Sequence, residues 1–491
     1  MFPKNALSGA SLAAVALLCC VALRARAGEK TDVDLDLTVE QDYDSNVFAR
    51  EHDTIGSAVT IVRPTLAFQS ESPLGFARVE GWLSDHTFWS ETGLNGTDRG
   101  IGADLDRTIF PRFALFGSGS YQRVAPHNEI RGPNIVTTSP GAPGVPGQPV
   151  IEPGELISGS VPNVDLGQGE AGVRYALTPR SKLSLSGGGY TVQYLGNQTE
   201  NRNSDSWFAR SSVGYNQSAL DYLSLNLTTT SSVIDNLISG NLQTGTSDSD
   251  QQSLTIGWNR TWSELWSTNL SLGGRRLHTK TANTSRPITF VVPTTGGARP
   301  VLSSTLMTFE DTGPGFVGGL TIERKFPRGD LGFSYSRETI TTGSLAVSNV
   351  NVDSLTLSYV HRLSSLARLT IAGSFEHYVS ANDINQFLPA SYVDGSFNPI
   401  TGPEFSCSQG SLVITGSGPS KGGQCELPSS NKLTSNAGNA FVRLDWQLRK
   451  RLSTFAVVRY EDRTGDPALF GNPYNRFNVG VGFTYGYDFA P

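Results

Sequence analysis

Apolar and polar residues alternate along almost the whole chain, and this alternation limits what the chain can fold into. In residues 33–40, Val and Leu interleave with Asp, Thr and Glu, and residues 442–449 and 477–489 repeat the pattern. A period of two is typical of a β-strand with one polar face, because successive side chains point to opposite sides. No helix of useful length competes with these segments. The sequence therefore predicts an all-β fold, which also suits 53 glycines and only 2 methionines in 491 residues.

The first 27 residues have the three parts of a secretory signal. Lys4 gives a basic start, residues 10–23 form an apolar run too short to span a bilayer, and Ala25-Arg26-Ala27 provides a small-x-small cleavage site. We therefore expect cleavage after residue 27, export through the inner membrane, and a mature chain of residues 28–491. Removing the three basic residues of the signal takes the net charge from −6 to −9. Nucleic acid is accordingly a poor candidate partner.

The four cysteines divide into two pairs. Cys19 and Cys20 lie within the predicted signal and are lost with it. Cys407 and Cys425 lie in one Gly- and Ser-rich stretch, and an exported protein meets an oxidising environment. The sequence therefore predicts a local disulfide between Cys407 and Cys425.

The connections between predicted strands fall into two classes that alternate along the chain. Eight are short and rich in turn-forming residues, and nine are longer and polar. Outer-membrane barrels have this asymmetry, with tight periplasmic turns and long extracellular loops. The count implies 18 strands, with 16 as the nearest error. The short connections are near residues 71–74, 111–112, 178–181, 217–221, 263–265, 326–330, 364–365 and 450–452, and the long ones are near 43–53, 91–98, 125–162, 196–203, 235–248, 280–304, 342–351, 380–434 and 463–474.

Alternation alone also fits a soluble sandwich or a β-solenoid, but the asymmetric connections favour a transmembrane antiparallel up-and-down β-barrel. In such a barrel the apolar face of each strand meets lipid and the polar face lines a lumen, so a chain of mean hydropathy −0.21 can cross hydrocarbon. We expect a β-bulge near residues 187–189, where the alternation shifts phase. We also expect aromatic girdles at the headgroup level, formed by Trp82, Phe88, Trp89, Trp207, Trp258, Trp262 and Trp266.

Two short segments resemble known outer-membrane proteins. Residues 477–489 resemble the closing strand of such proteins, which ends in an aromatic residue read by the barrel assembly machinery; here Phe489 is that residue, with two more after it. Tyr43-Asp44-Ser45-Asn46-Val47-Phe48, after an N-terminal strand, resembles the opening of the β-barrel porin 2 family. The resemblance implies a Gram-negative outer-membrane barrel in contact with lipid and lipopolysaccharide. It also implies a link to export of surface polysaccharide, with periplasmic export proteins as partners.

If the polar faces line a lumen, charges of both signs project into it. They could form a transverse field or a sugar-binding lining, or they could be salt-bridged barrel filling, and both interpretations stay open. Aromatic platforms for sugars belong on the inner face, whereas the clearest strands carry their aromatic residues on the outer face. The predicted lumen-facing charges are Asp34, Asp36, Glu40, Arg368, Glu376, Arg443, Asp445 and Arg449.

No residue pattern indicates an enzyme, a metal site or a cofactor. The chain has no phosphate-binding loop and no zinc-ligand or thiol-redox spacing. Asp85-His86 is the best candidate for a catalytic pair, and Ser358 lies on the opposite strand face from His361. We therefore expect a protein that binds or conducts rather than one that catalyses.

The sequence predicts a conduit, most simply a pore that serves export of surface polysaccharide. A general diffusion porin for small hydrophilic solutes and a plugged structural or adhesive barrel are the alternatives. The long loop at residues 380–434 either folds inward as a constriction or forms a surface lid, and the loop at residues 125–162 is expected to be exposed. A monomer is the default, since no strand has outward residues that read as unusually polar or small.

Overall fold

The computed structural model is almost entirely β-strand. Among the described residues the only helix is the 3₁₀ turn Thr92–Leu94, and none is long and apolar enough to cross a membrane. The structure describes residues 30–48, 54–124, 164–194, 202–238, 243–285, 306–341, 349–380, 387–390, 411–415, 422–426, 434–465 and 473–488.

Eighteen antiparallel strands form one closed sheet, as the sequence predicts. Strands adjacent in the barrel are consecutive along the chain, apart from β15, which pairs with β19, and β1, which pairs with β21 and closes the ring. No edge strand remains in this sheet. The barrel strands are β1 Lys30–Asp44, β2 Ser57–Ser72, β3 Gly75–Phe88, β4 Gly96–Phe110, β5 Phe113–Val124, β6 Val164–Ala176, β7 Ser181–Tyr194, β8 Arg202–Asn216, β9 Asp221–Ile238, β10 Gln243–Ser263, β11 Trp266–Ser285, β12 Leu306–Phe326, β13 Gly329–Thr341, β14 Asn349–Arg362, β15 Ala367–Ser380, β19 Thr434–Arg449, β20 Leu452–Gly465 and β21 Tyr474–Asp488. A separate three-stranded sheet within the predicted loop 380–434 contains β16 Phe387–Ala390, β17 Ser411–Thr415 and β18 Gly422–Glu426.

All eight predicted short connections are tight turns at one end of the barrel, and their bounds differ from the prediction by no more than two residues. We call this the short-turn end and the opposite one the long-loop end. Hydroxyl side chains stabilise several of these turns. Thr178, Ser218 and Ser364 each accept a hydrogen bond at 3.0 Å from the backbone N–H three residues later. Such side-chain acceptors are why Ser and Thr mark turns in the sequence.

In two of the connections predicted as long loops, the barrel strands continue well beyond their predicted ends. β9 continues to Ile238 and β10 begins at Gln243, with unbroken pairing between them, and β11 continues to Ser285. Ladder hydrogen bonds join backbone groups, so a polar hairpin extends beyond the apolar part of the barrel without apolar side chains. The predicted strand ends relied on alternating hydrophobicity, and this alternation stops several residues before the backbone hydrogen bonding between the strands does.

The predicted bulge in β7 is wrong. β7 pairs with β6 and with β8 without a register shift. The apparent phase change arises because the outward positions, in phase with exposed Leu185, are Gly187 and Gly189, whereas Val192 faces inward and is buried. The register also places Gly119 opposite Gly169, and Gly169 opposite Gly189. The outer face of β5–β7 is therefore unusually small-sided, contrary to the sequence expectation, and the backbone is closely approachable there.

The two faces of the barrel differ in polarity. Along β21, odd-numbered residues point outward and even-numbered ones inward, so Val481 is 55% exposed and Asn478 only 5%. Of the predicted girdle aromatics, Trp82 and Phe88 do not belong to the outer surface, because they lie in phase with the inward-facing Ser84. The outward apolar belt includes Leu35, Leu66, Leu83, Ile101, Leu115, Leu185, Trp207, Leu225, Ile256, Leu272, Phe316, Leu357, Ile371, Val442, Val458 and Phe483.

A row of glycines allows charged side chains to meet above the closing strand. The row consists of Gly480, Gly482 and Gly486 on the lumen face of β21, and the first of them, Gly480, lies between Arg459 of β20 and the carboxylates of β1. The Arg459 guanidinium is 3.4 Å from both Glu40 Oε1 and Asp42 Oδ2. Because β21 separates these strands, the ion pairs connect strands that share no backbone hydrogen bonds.

The segment that resembles the porin 2 family fastens the same junction at the long-loop end. Buried Arg476 donates from Nε to both carboxylate oxygens of Asp44, at 3.0 and 2.9 Å. Ser45 N donates to Phe477 O at 2.9 Å, and Asn46 Nδ2 donates to Asn475 O at 3.0 Å. Beyond the junction, Val47 packs in a buried cluster with Val59, Ile61, Phe88 and Leu94, which Phe48 also contacts, whereas Tyr43 points outward. The segment therefore has a structural role in closing the barrel.

Replacing Gly480 by alanine should destabilise the barrel by about 1–3 kcal/mol, the usual cost of overpacking. A Cβ at this position would overlap Asp42 Oδ1 and lie 3.0 Å from Glu40 Oε1. Gly102→Ala is the matched control, because a Cβ there meets no atom closer than 3.8 Å. Denaturant titration of both variants measures the effect, and equal free energies of unfolding would contradict the role assigned to the glycine row.

Removing one partner of the buried Arg476–Asp44 pair should cost more than removing the charge from both. Arg476→Met leaves an uncompensated buried carboxylate, and we expect a loss of about 3–5 kcal/mol. The double variant Arg476→Met/Asp44→Asn should recover part of that loss, because Asn keeps an acceptor for Asn46 N, which donates to Asp44 Oδ1 at 2.9 Å. A double-mutant cycle of unfolding free energies measures the coupling, and strictly additive losses would show that the pair is not coupled.

Candidate functional site: the barrel lumen

Ion pairs cover one wall of the lumen, from β19 through β21 and β1 to β8. Arg443 Nε donates to Asp445 Oδ1 at 2.8 Å, and Arg210 Nη1 lies 3.4 Å from Glu170 Oε2. Arg78 pairs with Glu80, and Arg174 with Asp106. The Arg78 and Arg174 side chains remain 48% and 43% exposed although they point into the barrel. The space in front of this wall is therefore accessible to water.

Seven of the eight predicted lumen charges, all except Arg449, lie on the inner face, in different surroundings. Glu40 belongs to the Arg459 cluster at the closing junction, and half-buried Asp34 and Asp36 precede it on β1. Glu376 is separate from both groups, and it accepts a hydrogen bond from the hydroxyl of Tyr378.

The predicted basic residues gather near the short-turn end. Arg368 contacts Asp445 at 3.6 Å, too long for a hydrogen bond, and Asp445 is shared with Arg443. Arg449 lies beyond a register shift between Gln447 and Arg449, next to the turn. Strand phase therefore does not assign Arg449 to the lumen.

Aromatic residues lie on the inner face beside arginines, which the sequence did not lead us to expect. The Arg443 guanidinium is 4.1 Å from the ring centroid of Phe455, and Arg210 is 4.4 Å from that of Phe208. Arg174 stacks on Phe116 at 5.1 Å, and Arg63 on Trp82 at 5.7 Å. Only Arg443 of these eight residues was predicted to line the lumen. The sequence could have indicated the inward direction of Trp82, because Trp82 alternates along β3 with the same phase as the polar residues Ser84 and His86.

The opposite wall carries hydroxyl and amide groups in place of charges. The described side chains that β9 and β10 present to the lumen include no Asp, Glu, Lys or Arg. Neighbouring groups hydrogen-bond with one another, as when Ser206 Oγ donates to Ser232 Oγ at 2.7 Å. The lumen thus has a charged wall and a neutral polar wall. The neutral wall comprises β9 and β10 and includes Ser224, Asn226, Thr228, Thr230, Ser253, Thr255 and Asn259.

Near the long-loop end the inner face gains buried apolar residues, which lie among buried polar ones such as His86, Arg275 and Arg476. Inward-facing apolar residues on at least seven strands are buried there, in contrast to the exposed charges nearer the short-turn end. We call this set of residues the apolar collar. A hydrophobic constriction is a recognised means of controlling water and ions in a channel. The apolar collar contains Val59, Phe88, Val124, Val164, Val192, Ile234, Leu277, Val350 and Val352.

The candidate catalytic pair is not formed. Asp85 faces outward and accepts a hydrogen bond from Thr97 Oγ1 at 2.9 Å, whereas His86 faces inward. His86 Nε2 is instead 2.9 Å from Ser84 Oγ and 3.2 Å from Asp98 Oδ2. A hydrolytic triad needs its serine and its carboxylate on different ring nitrogens. Both partners share one nitrogen here, and Ser84 is buried.

The other candidates do not supply a chemical site. His361, on the opposite face from Ser358, contacts the hydroxyl of Tyr359 at 2.9 Å. Within the described part of the chain, no three His, Cys, Asp or Glu residues could hold a metal ion together. Cys425 lies in β18, but Cys407, Phe489, the signal at residues 1–27 and the loop at 125–162 are outside the described residues. The disulfide, the closing aromatic and the cleaved signal therefore stay predictions.

No protein-family model matches the chain, and no curated protein matches it. The chain is similar to the solved structure of OccK2 (OpdF) from Pseudomonas aeruginosa, with 9% identity and a TM-score of 0.41, over 94% of this chain and 98% of that one. It is similar to the siderophore receptor PirA from Acinetobacter baumannii, with 8% identity and a TM-score of 0.42 over 94% and 81% of the two chains. The alcaligin outer membrane receptor FauA from Bordetella pertussis matches with 10% identity and a TM-score of 0.41 over 93% and 76%. The resemblance to the porin 2 family stays a prediction.

Proposed function

We propose that the chain is an integral barrel of the bacterial outer membrane whose lumen is a pore for small hydrophilic solutes. Its short-turn end faces the periplasm and its long-loop end the cell exterior, as in other barrels of this membrane. Outer-membrane lipid and lipopolysaccharide surround the apolar belt, and the barrel assembly machinery inserts the chain. The barrel acts as a conduit and not as a catalyst.

The observation that carries this proposal is the exposure of charged side chains inside the barrel. A lumen filled by packed side chains would bury its charges, whereas Arg368 is 59% exposed on the inner face. Charged groups stay solvated only where water reaches them, because dehydrating them is costly. The wide, hydrated half of the lumen supports a pore, and the apolar collar is the point at which passage is controlled.

Export of a surface polysaccharide is the second candidate function. The neutral wall favours it, because hydroxyl and amide groups can exchange hydrogen bonds with an uncharged glycan without the desolvation cost of a charge. Half-buried inner aromatic residues such as Trp82 and Phe116 also offer apolar surface to sugar rings. In this case periplasmic export proteins would feed the polymer to the barrel, and loss of the chain would abolish surface polysaccharide.

Proteoliposome swelling and planar-bilayer conductance of the purified mature protein test the first proposal. We expect steady conductance steps, and swelling rates that fall with solute size through a series of neutral mono-, di- and trisaccharides. Size-dependent swelling without any partner protein would favour the diffusion pore over export. A correctly folded barrel that gives neither conductance nor swelling would contradict it and favour a plugged structural barrel.

Adjacent positions on β9 test which face meets lipid. Leu225 points outward and is exposed, whereas Asn226 points into the lumen. Leu225→Lys should destabilise the membrane-inserted barrel by about 2–4 kcal/mol, the cost of a lysine near the bilayer midplane. Asn226→Lys is the matched control and should fold like the parent protein. Denaturant titration in lipid vesicles measures both, and equal losses would overturn the assigned facing.

The same lumen variant tests whether ions pass the neutral wall. Asn226→Lys adds one positive charge to a wall without charged side chains, so it should shift the reversal potential in a salt gradient towards anions. High salt should reduce the shift, since the Debye length falls to about 3 Å at 1 M. An unchanged reversal potential would place the ion pathway away from this wall.

A further inference from the structure

A cavity of about 780 Å³ opens at the short-turn end, between the β14–β15 turn, the β19–β20 turn and the first residues of β1. Four basic side chains line it: Arg362, Arg368, Lys450 and Arg451. Its acidic lining residues are Asp36 and Asp445. Basic residues therefore outnumber acidic ones in the lining, although the chain as a whole has a net charge of −6.

Two of these arginines are directly opposite each other. The antiparallel register of β14 and β15 pairs Arg362 with Arg368, and both follow the lumen-facing phase of their strands. Like charges at directly opposite positions destabilise a sheet. A bound anion between the two guanidinium groups would remove that repulsion.

Neighbouring carboxylates neutralise this arginine pair only in part. Asp445 is engaged by Arg443 at 2.8 Å and reaches Arg368 only at 3.6 Å. The Arg362 side chain is exposed and makes no ion pair with a described residue. On the adjacent turn, Arg451 stacks on the ring of outward-facing Tyr487 at 4.6 Å, so its guanidinium is directed to the outer side of the sheet and the arginine pair remains the main positive charge facing the lumen.

We propose that this cavity binds the anionic group, a phosphate or a carboxylate, of a solute at the periplasmic mouth of the pore. Planar guanidinium groups match the oxygens of both groups and bind them with paired hydrogen bonds. The cavity faces the lumen, so its ligand is a dissolved solute rather than a lipid. The transport role of the site rests on the proposed pore function, but binding to the site does not require conduction.

Isothermal titration of the detergent-solubilised full barrel with inorganic tripolyphosphate, and separately with citrate, tests the proposal. We expect saturable binding of at least one probe, weakened about tenfold or more in Arg362→Gln/Arg368→Gln, as for loss of a charged hydrogen bond. The two probes distinguish a phosphate from a carboxylate preference. Because the substitution removes a repulsive pair, the double variant should fold at least as stably as the parent.

The matched control is Arg112→Gln/Arg180→Gln. These exposed arginines lie in the β4–β5 and β6–β7 turns at the same end of the barrel but outside the cavity. The control removes the same charge and should bind each probe within twofold of the parent. Absence of saturable binding, or equal weakening in both double variants, would overturn the anion site.

Conductance measured on the same preparations separates this inference from the proposed function. Conductance without saturable anion binding would overturn the site and leave the pore intact. Anion binding by a barrel that conducts nothing would support the site and overturn the pore.

Discussion

The backbone pairing of β1 with β21 is the constraint on which the rest of the barrel depends. Hydrocarbon offers no hydrogen-bond partner, and each unsatisfied backbone group costs several kcal/mol there, so a sheet is viable in a membrane only when its first and last strands pair. These strands are more than 400 residues apart in the chain, and closing so long a loop is entropically unfavourable. Additional contacts at the junction therefore stabilise the pairing of β1 with β21 against this entropic cost.

The chain reinforces this junction from the lumen side. Arg459 reaches two carboxylates of β1 across β21, and Arg476 pairs with Asp44 where the strands end. Exposed ion pairs contribute little, whereas a buried pair is costly to break. The Arg476–Asp44 pair is the buried one, so it contributes more to the specificity of closure than the solvated pairs lower in the lumen.

Strand number, turns and facing could be predicted from the sequence because they are local properties. Turn residues such as Ser218 and Ser364, and alternation as clear as that around Val481, depend only on near neighbours in the chain. The glycine row, the Arg–aromatic pairs and the cavity at the mouth depend on register between strands remote in sequence. Arg459 and Glu40 are 419 residues apart, and nothing near either residue identifies the other. Where the outward positions are glycine, as at Gly187 and Gly189, hydrophobicity does not show which side chains of the strand point outward.

Register also explains why net charge is a poor guide to what such a lumen would admit. At an ionic strength of 0.1 M the Debye length is about 10 Å, so a solute in a water-filled lumen responds to the nearest charges and not to the sum over the chain. Basic residues, among them Arg362 and Arg368, outnumber acidic ones at the mouth, whereas β1 carries the acidic residues Asp34, Asp36 and Glu40 along the same lumen. A solute moving from the mouth to the apolar collar would meet a basic region, then a choice between a charged and a neutral wall, then a level at which buried apolar and polar side chains are mixed. Selectivity in such a channel is set level by level, and strand register decides which side chains share a level.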